Sequence, residues 1–218
     1  MEAEKIWDNH WMHHKDTLPT THFATKSYNR YIDGKRSVLD LGCGDGKDSV
    51  YFARKGLDVT AVDFSSQALK NLEDSIAEYN SHNTLPIRDI NIIKQDICNL
   101  HIDTQFDAIY ANLSLNYFDN KTTEKIFDGL YGLLKPEGII LVKCKSIYDA
   151  KYGQGKKIEK DFYRENDTGR TIHYFSEEYM RKKLHLFNIL RVIRKESPHI
   201  TFNSTKKNET FIEAVAYK

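Results

Sequence analysis

Val38-Leu39-Asp40-Leu41-Gly42-Cys43-Gly44-Asp45-Gly46 is the stretch whose reading decides the fold. An apolar run carrying one acid reads as a buried β-strand. The three alternating glycines after it read as a tight turn that opens a helix over residues 46–55, closed by Gly56. Glycines let the backbone approach a ligand closely, and a helix start points free N–H groups at whatever sits above it. Each of the next two strand-like runs ends in an acid. Val59-Thr60-Ala61-Val62 leads to Asp63, and Ile92-Ile93-Lys94-Gln95 leads to Asp96.

Outward from that centre the pattern alternates. Strands are expected at 38–42, 58–63, 90–96, 106–112 and 139–145. A helix follows Ser65 or Ser66, with Ala68, Leu69, Leu72, Ile76 and Tyr79 on one face. Another over 122–134 ends at the turn Lys135-Pro136-Glu137-Gly138. This order predicts an α/β fold, a doubly wound, mostly parallel sheet of seven strands, with its ligand at the carboxyl ends of the strands. Residues 147–172 are polar, contain three glycines and show no period, so a loop or lid is expected. A helix over 176–184 and two strand-like runs, 187–195 and 210–217, follow. Separated by a polar turn at 203–208, the two runs predict an antiparallel hairpin added to the sheet edge. The expected organisation is one domain over 1–218: a helical lead-in cap (1–34), a core (35–146), a lid (147–175) and the C-terminal helix and hairpin (176–218).

Composition narrows the function classes. The chain has 218 residues and a formal net charge of +1, so no overall positive field draws in nucleic acid or an anionic membrane. Three cysteines without a C-x-x-C pair do not form a disulfide framework and fit a reducing compartment. The first residues are charged and lack an apolar leader core, and no apolar run reaches the ~18 residues a membrane span needs. A cytoplasmic enzyme, monomeric or homodimeric, is the expectation.

The glycines at 42, 44 and 46 give G-x-G-x-G, with Lys47 where a dinucleotide fingerprint needs its third glycine. Asp63 suits the ribose hydroxyls of either a nicotinamide dinucleotide or S-adenosylmethionine. Asp40 and Asp96 fit the second better. VLDLGCGDG, the acid of AVDFS, QDI and LLKPEGIILV resemble the successive motifs of class I S-adenosylmethionine-dependent methyltransferases over about residues 35–146. The resemblance implies that Gly42 and Gly44, with Cys43 between them, lie against the methionine part of the cofactor. Asp40 would organise its amino group and Asp63 would take both ribose hydroxyls. Phe64 would pack on adenine, Asp96 and the backbone of Ile97 would meet the adenine edge, and Ala111 and Asn112 would line the transfer cleft. No metal is implied. A nicotinamide-dependent reductase and a cofactor-binding sensor or scaffold without turnover are the alternatives.

The acceptor is less legible. After the fourth strand the chain reads Ala111-Asn112-Leu113-Ser114, without the Asn/Asp-Pro-Pro-aromatic motif of many nucleic-acid and protein N-methyltransferases. A small-molecule acceptor, methylated at O, S or a similar nucleophilic atom, is the expectation. The lead-in, with Trp7 and Trp11 at i, i+4 and Phe23, is similar to that of thiopurine-type and tellurite-resistance-type methyltransferases, which implies an aromatic segment closing over the cofactor. Its simpler reading is a helix anchored to the core. Asp149-x-x-Tyr152-Gly153-x-Gly155-Lys156 and His173-Tyr174-Phe175 resemble bacterial methyltransferases found with surface-polysaccharide synthesis. His173, in the expected lid-to-helix region, and Tyr152 are the catalytic candidates, His173 as general base for a hydroxyl acceptor, and packing is the simpler reading of both. Tyr117 is a candidate acceptor contact. His10, His13 and His14 could share a helix face and bind a metal, with Asp16 nearby, but read more simply as exposed side chains.

Overall fold

The structure is a computed structural model that describes residues 2–13, 20–84, 86–198 and 208–218. Two lead-in helices, α1 (Glu2–His13) and α2 (His22–Ser27), precede β1 (Ser37–Leu41), α3 (Lys47–Arg54), β2 (Asp58–Asp63), α4 (Ser66–His82) and β3 (Ile90–Lys94). Then come β4 (Phe106–Asn112), α5 (Asn120–Leu133) and β5 (Leu134–Lys145). The chain continues through β6 (Lys156–Glu159), β7 (Phe162–Arg164), β8 (Thr171–His173) and α6 (Glu177–Lys183), and closes with β9 (Asn188–Pro198) and β10 (Asn208–Tyr217).

The large sheet has seven strands in the order β3-β2-β1-β4-β5-β10-β9. The first five are parallel, while β10 runs antiparallel to both β5 and β9. This is the expected mostly parallel sheet with a terminal hairpin. Successive residues of each central strand face opposite layers. Leu39, Leu41, Ile109, Ile140 and Val142 pack toward α5 and α6 with Phe127, Leu130 and Met180. Val38, Ala108, Tyr110, Ile139 and Leu141 pack toward α2 and α3 with Phe23, Ile32 and Phe52. With both faces covered, the strands read as nearly continuous apolar runs.

Helix starts follow local capping chemistry. Ser65 Oγ accepts from Ala68 N–H at α4, Asp119 from Thr122 N–H at α5, and Ser176 from Tyr179 N–H at α6. From β1 the chain winds outward through β2 and β3, then returns to place β4 on the other side of β1. The crevice between the carboxyl ends of β1 and β4 is thus the switch point, where a ligand fits in an open α/β sheet.

Three expectations need correction. β3 ends at Lys94, so Asp96 lies beyond it and caps a 3-10 turn, Ile97–Asn99, by accepting from Cys98 N–H at 2.9 Å. Lys135-Pro136-Glu137-Gly138 is the start of β5 rather than a free turn, because the strand begins directly after α5. The segment expected as a loop carries an antiparallel sheet, β6-β7-β8. Its strands have three or four residues, too few to register a period, and its order comes from burial of Tyr163 and Ile172 against Tyr174, Tyr117 and Ile147. Most of the turn expected at 203–208 lies outside the described residues. Among the described residues no helix is long and apolar enough to cross a membrane.

Candidate functional site

A cavity of about 550 Å³ opens at the switch point, within the ~300–1,000 Å³ range of small-ligand sites. Its floor is Asp40 of β1 and the turn Gly42, Cys43 and Gly44, then Asp63 at the end of β2 with Phe64, Asp96 and Ile97, and Asn112 at the end of β4 with Ser114. Its roof is α1, through Ile6, Trp7, His10 and Trp11, and the small sheet, through Arg164, Arg170 and Thr171.

Asp63 is buried, and its carboxylate accepts from Gly44 N–H at 3.0 Å and from Ser65 N–H at 2.9 Å. It therefore ties the glycine turn to the start of α4. Burial raises its pKa against the pull of these N–H donors. Asp40 is buried deeper and accepts from Ser49 Oγ at 2.5 Å. Loss of hydration, reinforced by the charge of Asp48, pushes its pKa up to about 8.

Asp48, in the first turn of α3, went unnoticed in the sequence and is the most connected acid of the site. Its Oδ1 accepts from Thr20 Oγ1 and Thr21 N–H, each at 2.8 Å. Its Oδ2 accepts from Thr21 Oγ1 and Tyr110 OH at 2.8 Å and from Asn112 Nδ2 at 3.3 Å. One carboxylate thus joins the lead-in, α3 and β4. The only hint in the sequence was an acid in a helix's first turn, where the dipole favours it.

The lead-in helix α1 has no fully buried residue, yet it is pinned to α4. Asp8 accepts from Ser65 Oγ at 2.6 Å and Gln67 N–H at 3.2 Å, and Asn71 Nδ2 donates to Trp11 O at 2.9 Å. Glu4 pairs with Lys94 at 2.7 Å. Trp7 meets the Tyr117 ring edge-on at 4.7 Å, and the Arg170 guanidinium lies 5.3 Å from its centroid.

Whether S-adenosylmethionine suits this cavity can be judged from the residues present. A Cβ at Gly42, which sits at φ +70, would lie 2.4 Å from Ser114 Cβ, so only glycine lets that turn pack against the residues after β4. Among the described residues three buried side-chain polar atoms have no protein partner: Asn112 Oδ1, Ser114 Oγ and Asn116 Oδ1. The first two belong to residues that line the cavity. Buried polar atoms without a partner are costly, and a polar ligand seated here would relieve that cost. A floor of carboxylates also matches a molecule carrying cationic and hydroxyl groups. The residues fit the group.

Not every candidate is in place. Trp7, Trp11, Asp40, Gly42, Cys43, Gly44, Asp63, Phe64, Asp96, Ile97 and Asn112 all line the cavity. Ala111 does not: it is wholly buried in the α5-side core, because on a strand its side chain points opposite to those of Tyr110 and Asn112. His173 is buried outside the cavity, its Nδ1 3.0 Å from Phe118 O and its ring among Phe162, Phe175 and Tyr179. Burial lowers its pKa, and its surroundings are those of a packed structural side chain. Tyr152 lies on the small sheet's outer side, donating to Asp161 at 2.6 Å and packing against Tyr163 and Tyr174. Neither catalytic candidate borders the cavity; Tyr117 does, and so does His10, set between the rings of Trp7 and Trp11 at 5.4 and 5.0 Å. His14 and Asp16 lie outside the described residues.

Residues 38–138 match the family model described as a methyltransferase domain. YqeM of Bacillus subtilis is 34% identical over 127 residues, covering 57% of this chain and 48% of that protein. The chain spans about half the length of the first curated relatives it matches. TehB from Haemophilus influenzae superposes with a TM-score of 0.71 at 17% identity, covering 98% of this chain and 67% of that one. The N-methyltransferase NodS from Bradyrhizobium japonicum, in complex with S-adenosyl-L-homocysteine, does so at 0.69 and 14%, covering 100% and 99%. At these identities the structural likeness speaks for the fold.

Proposed function

We propose that this chain, whose residues 38–138 match the model of a methyltransferase domain, transfers a methyl group from S-adenosylmethionine to an O, S or similar nucleophilic atom of a small molecule. The observation that carries this is the coincidence, at one switch-point cavity, of the glycine turn with Asp40, Asp63 and Asp96. The cofactor, when bound, supplies an electrophilic methyl group on a sulfonium.

The protein's part is to hold, orient and exclude water. Gly42 and Gly44 flank the methionine portion, and Asp40 faces its ammonium. Asp63, already fixed by two backbone N–H groups, keeps further lone pairs for the ribose hydroxyls. Phe64 and Ile97 hold the adenine, with Asp96 at its edge. Asn112 Nδ2 is held by Asp48, and its Oδ1, without a protein partner among the described residues, would accept from the bound molecule. Trp7 and Trp11 close the roof, where an indole face favours a cation. The roof of α1 and the small sheet favours a compact acceptor over a polymer.

The placement of His173 and Tyr152 outside the cavity supports an acceptor that needs no strong base, such as a thiolate. It also supports a second reading, a cofactor-binding sensor without turnover. Calorimetry tests the first step: S-adenosylmethionine and S-adenosylhomocysteine are expected to bind while NAD(H) and NADP(H) give no heat. Binding of a nicotinamide cofactor alone overturns the reading. Release of S-adenosylhomocysteine in an acceptor screen separates the enzyme from the sensor.

A further inference from the structure

The cavity is lined by acids with Lys47 at the switch point and by two arginines on the small sheet. The floor holds the carboxylates of Asp40, Asp48 and Asp63, whereas the small sheet brings two guanidinium groups, Arg164 and Arg170, to the mouth. We propose that the methyl acceptor bears an oxyanion, a carboxylate or a phosphate, held by Arg164 and Arg170. This inference rests on the methyl-transfer reading and names its substrate class.

Arg170 is already set in one orientation. Its Nε and Nη2 both donate to Glu165 Oε2, at 3.2 and 3.1 Å, and its Nε also reaches Thr168 Oγ1 at 3.2 Å. Its guanidinium stacks over Trp7, and Nη1 has no partner among the described residues. Glu165 offsets its charge, so Arg170 contributes direction more than net charge. Arg164, at the end of β7, forms no ion pair with any described residue and supplies that charge. A planar guanidinium matches the two oxygens of a carboxylate or the face of a phosphate. Glu2 also borders the mouth, and its like charge keeps an anion toward the arginine side. Arg164 is exposed, so an anion held there sits at the mouth and the rest of the molecule points inward, past Trp7 and Tyr117.

Binding to the full chain preloaded with S-adenosylhomocysteine tests this. Calorimetric titrations compare benzoate with benzamide, and phenyl phosphate with phenol. At least one anion is expected to bind about tenfold or more tightly than its neutral partner, with affinity falling as salt rises. The carboxylate and phosphate arms decide which oxyanion is preferred. Arg164→Gln is expected to weaken the anion about tenfold and to leave S-adenosylhomocysteine affinity and the melting temperature unchanged, since Arg164 is exposed and unpaired among the described residues. Neutral probes binding as tightly as the anions, no anion binding at millimolar concentration, or indifference to Arg164→Gln would each overturn the inference alone. Failure of S-adenosylhomocysteine to bind overturns the methyl-transfer reading with it.

Discussion

The indole of Trp11 covers Gly44: a Cβ at position 44 would lie 2.5 Å from Cζ2 and 2.6 Å from Cη2 of the ring. Gly44 also sits at φ +57, so the lead-in and the glycine turn are shaped against one another. Gly44→Ala is expected to destabilise the protein by about 1–3 kcal/mol, through overpacking and left-handed strain, and to weaken S-adenosylhomocysteine. Adding Trp11→Ala should restore part of the melting temperature by relieving the collision. Additive losses in the double mutant would show that α1 does not rest on the turn. Trp7 and Trp11 are the only tryptophans, so cofactor binding beneath them should also move the intrinsic fluorescence.

Asp63 does two things. Its carboxylate lines the cavity and also accepts from the backbone N–H groups of Gly44 and Ser65. Asp63→Ala should cost roughly 2–4 kcal/mol of S-adenosylhomocysteine affinity. It should also lower the cofactor-free stability by about 1–3 kcal/mol, because two buried N–H groups lose their acceptor. Calorimetry and urea unfolding read the two effects separately, and unchanged affinity in a folded variant would remove Asp63 from the site.

Asp48 is the joint between lead-in and sheet. Asp48→Ala should leave Thr20, Thr21 and Tyr110 without their shared acceptor and cost about 2–4 kcal/mol of stability. Limited proteolysis should cut first before residue 22, as the lead-in separates. A melting temperature equal to that of the wild type would contradict the network.

Asp40 sets a pH dependence. Its folded pKa of about 8 lies above the ordinary 3.8, so between those values the native state keeps a proton that the unfolded chain has lost. Its contribution is therefore intact at acid pH and declines as pH rises through about 8, by at most ~1.4 kcal/mol per unit. Asp40→Asn should flatten that slope in urea unfolding at pH values across the window. A cofactor ammonium beside Asp40 favours the carboxylate, so binding near neutral pH should release protons. Calorimetry in buffers of different ionisation enthalpy counts them, and zero release would separate Asp40 from the ammonium.

His173 tests the correction to the base. His173→Gln should lower the melting temperature, at a cost of about 1–3 kcal/mol for a buried hydrogen-bonded side chain, while cofactor affinity stays the same. Once an acceptor is known, the acid limb of its pH–rate profile should be unaltered. A lost limb would return His173 to the chemistry.

The sequence by itself determined the winding order, the glycine turn, the acids near the ends of β1, β2 and β3, and the terminal hairpin. These are local facts: period, turn chemistry and spacing act between neighbours in the chain. The order of the small sheet, the unpaired Oδ1 of Asn112, the meeting of Trp11 with Gly44 and of Asp48 with Thr21 were decided only by the tertiary structure. Asp48 and Tyr110 lie 62 positions apart and meet only after β4 pairs with β1. Ala111 and Asn112 are adjacent in the chain, yet strand alternation sends one into the core and the other into the cavity. In the sequence His173 reads as either a base or a packed ring, and only the folded structure surrounds it with Phe162, Phe175 and Tyr179, because what surrounds a side chain, and hence its charge and its reach, is set by the elements folded over it.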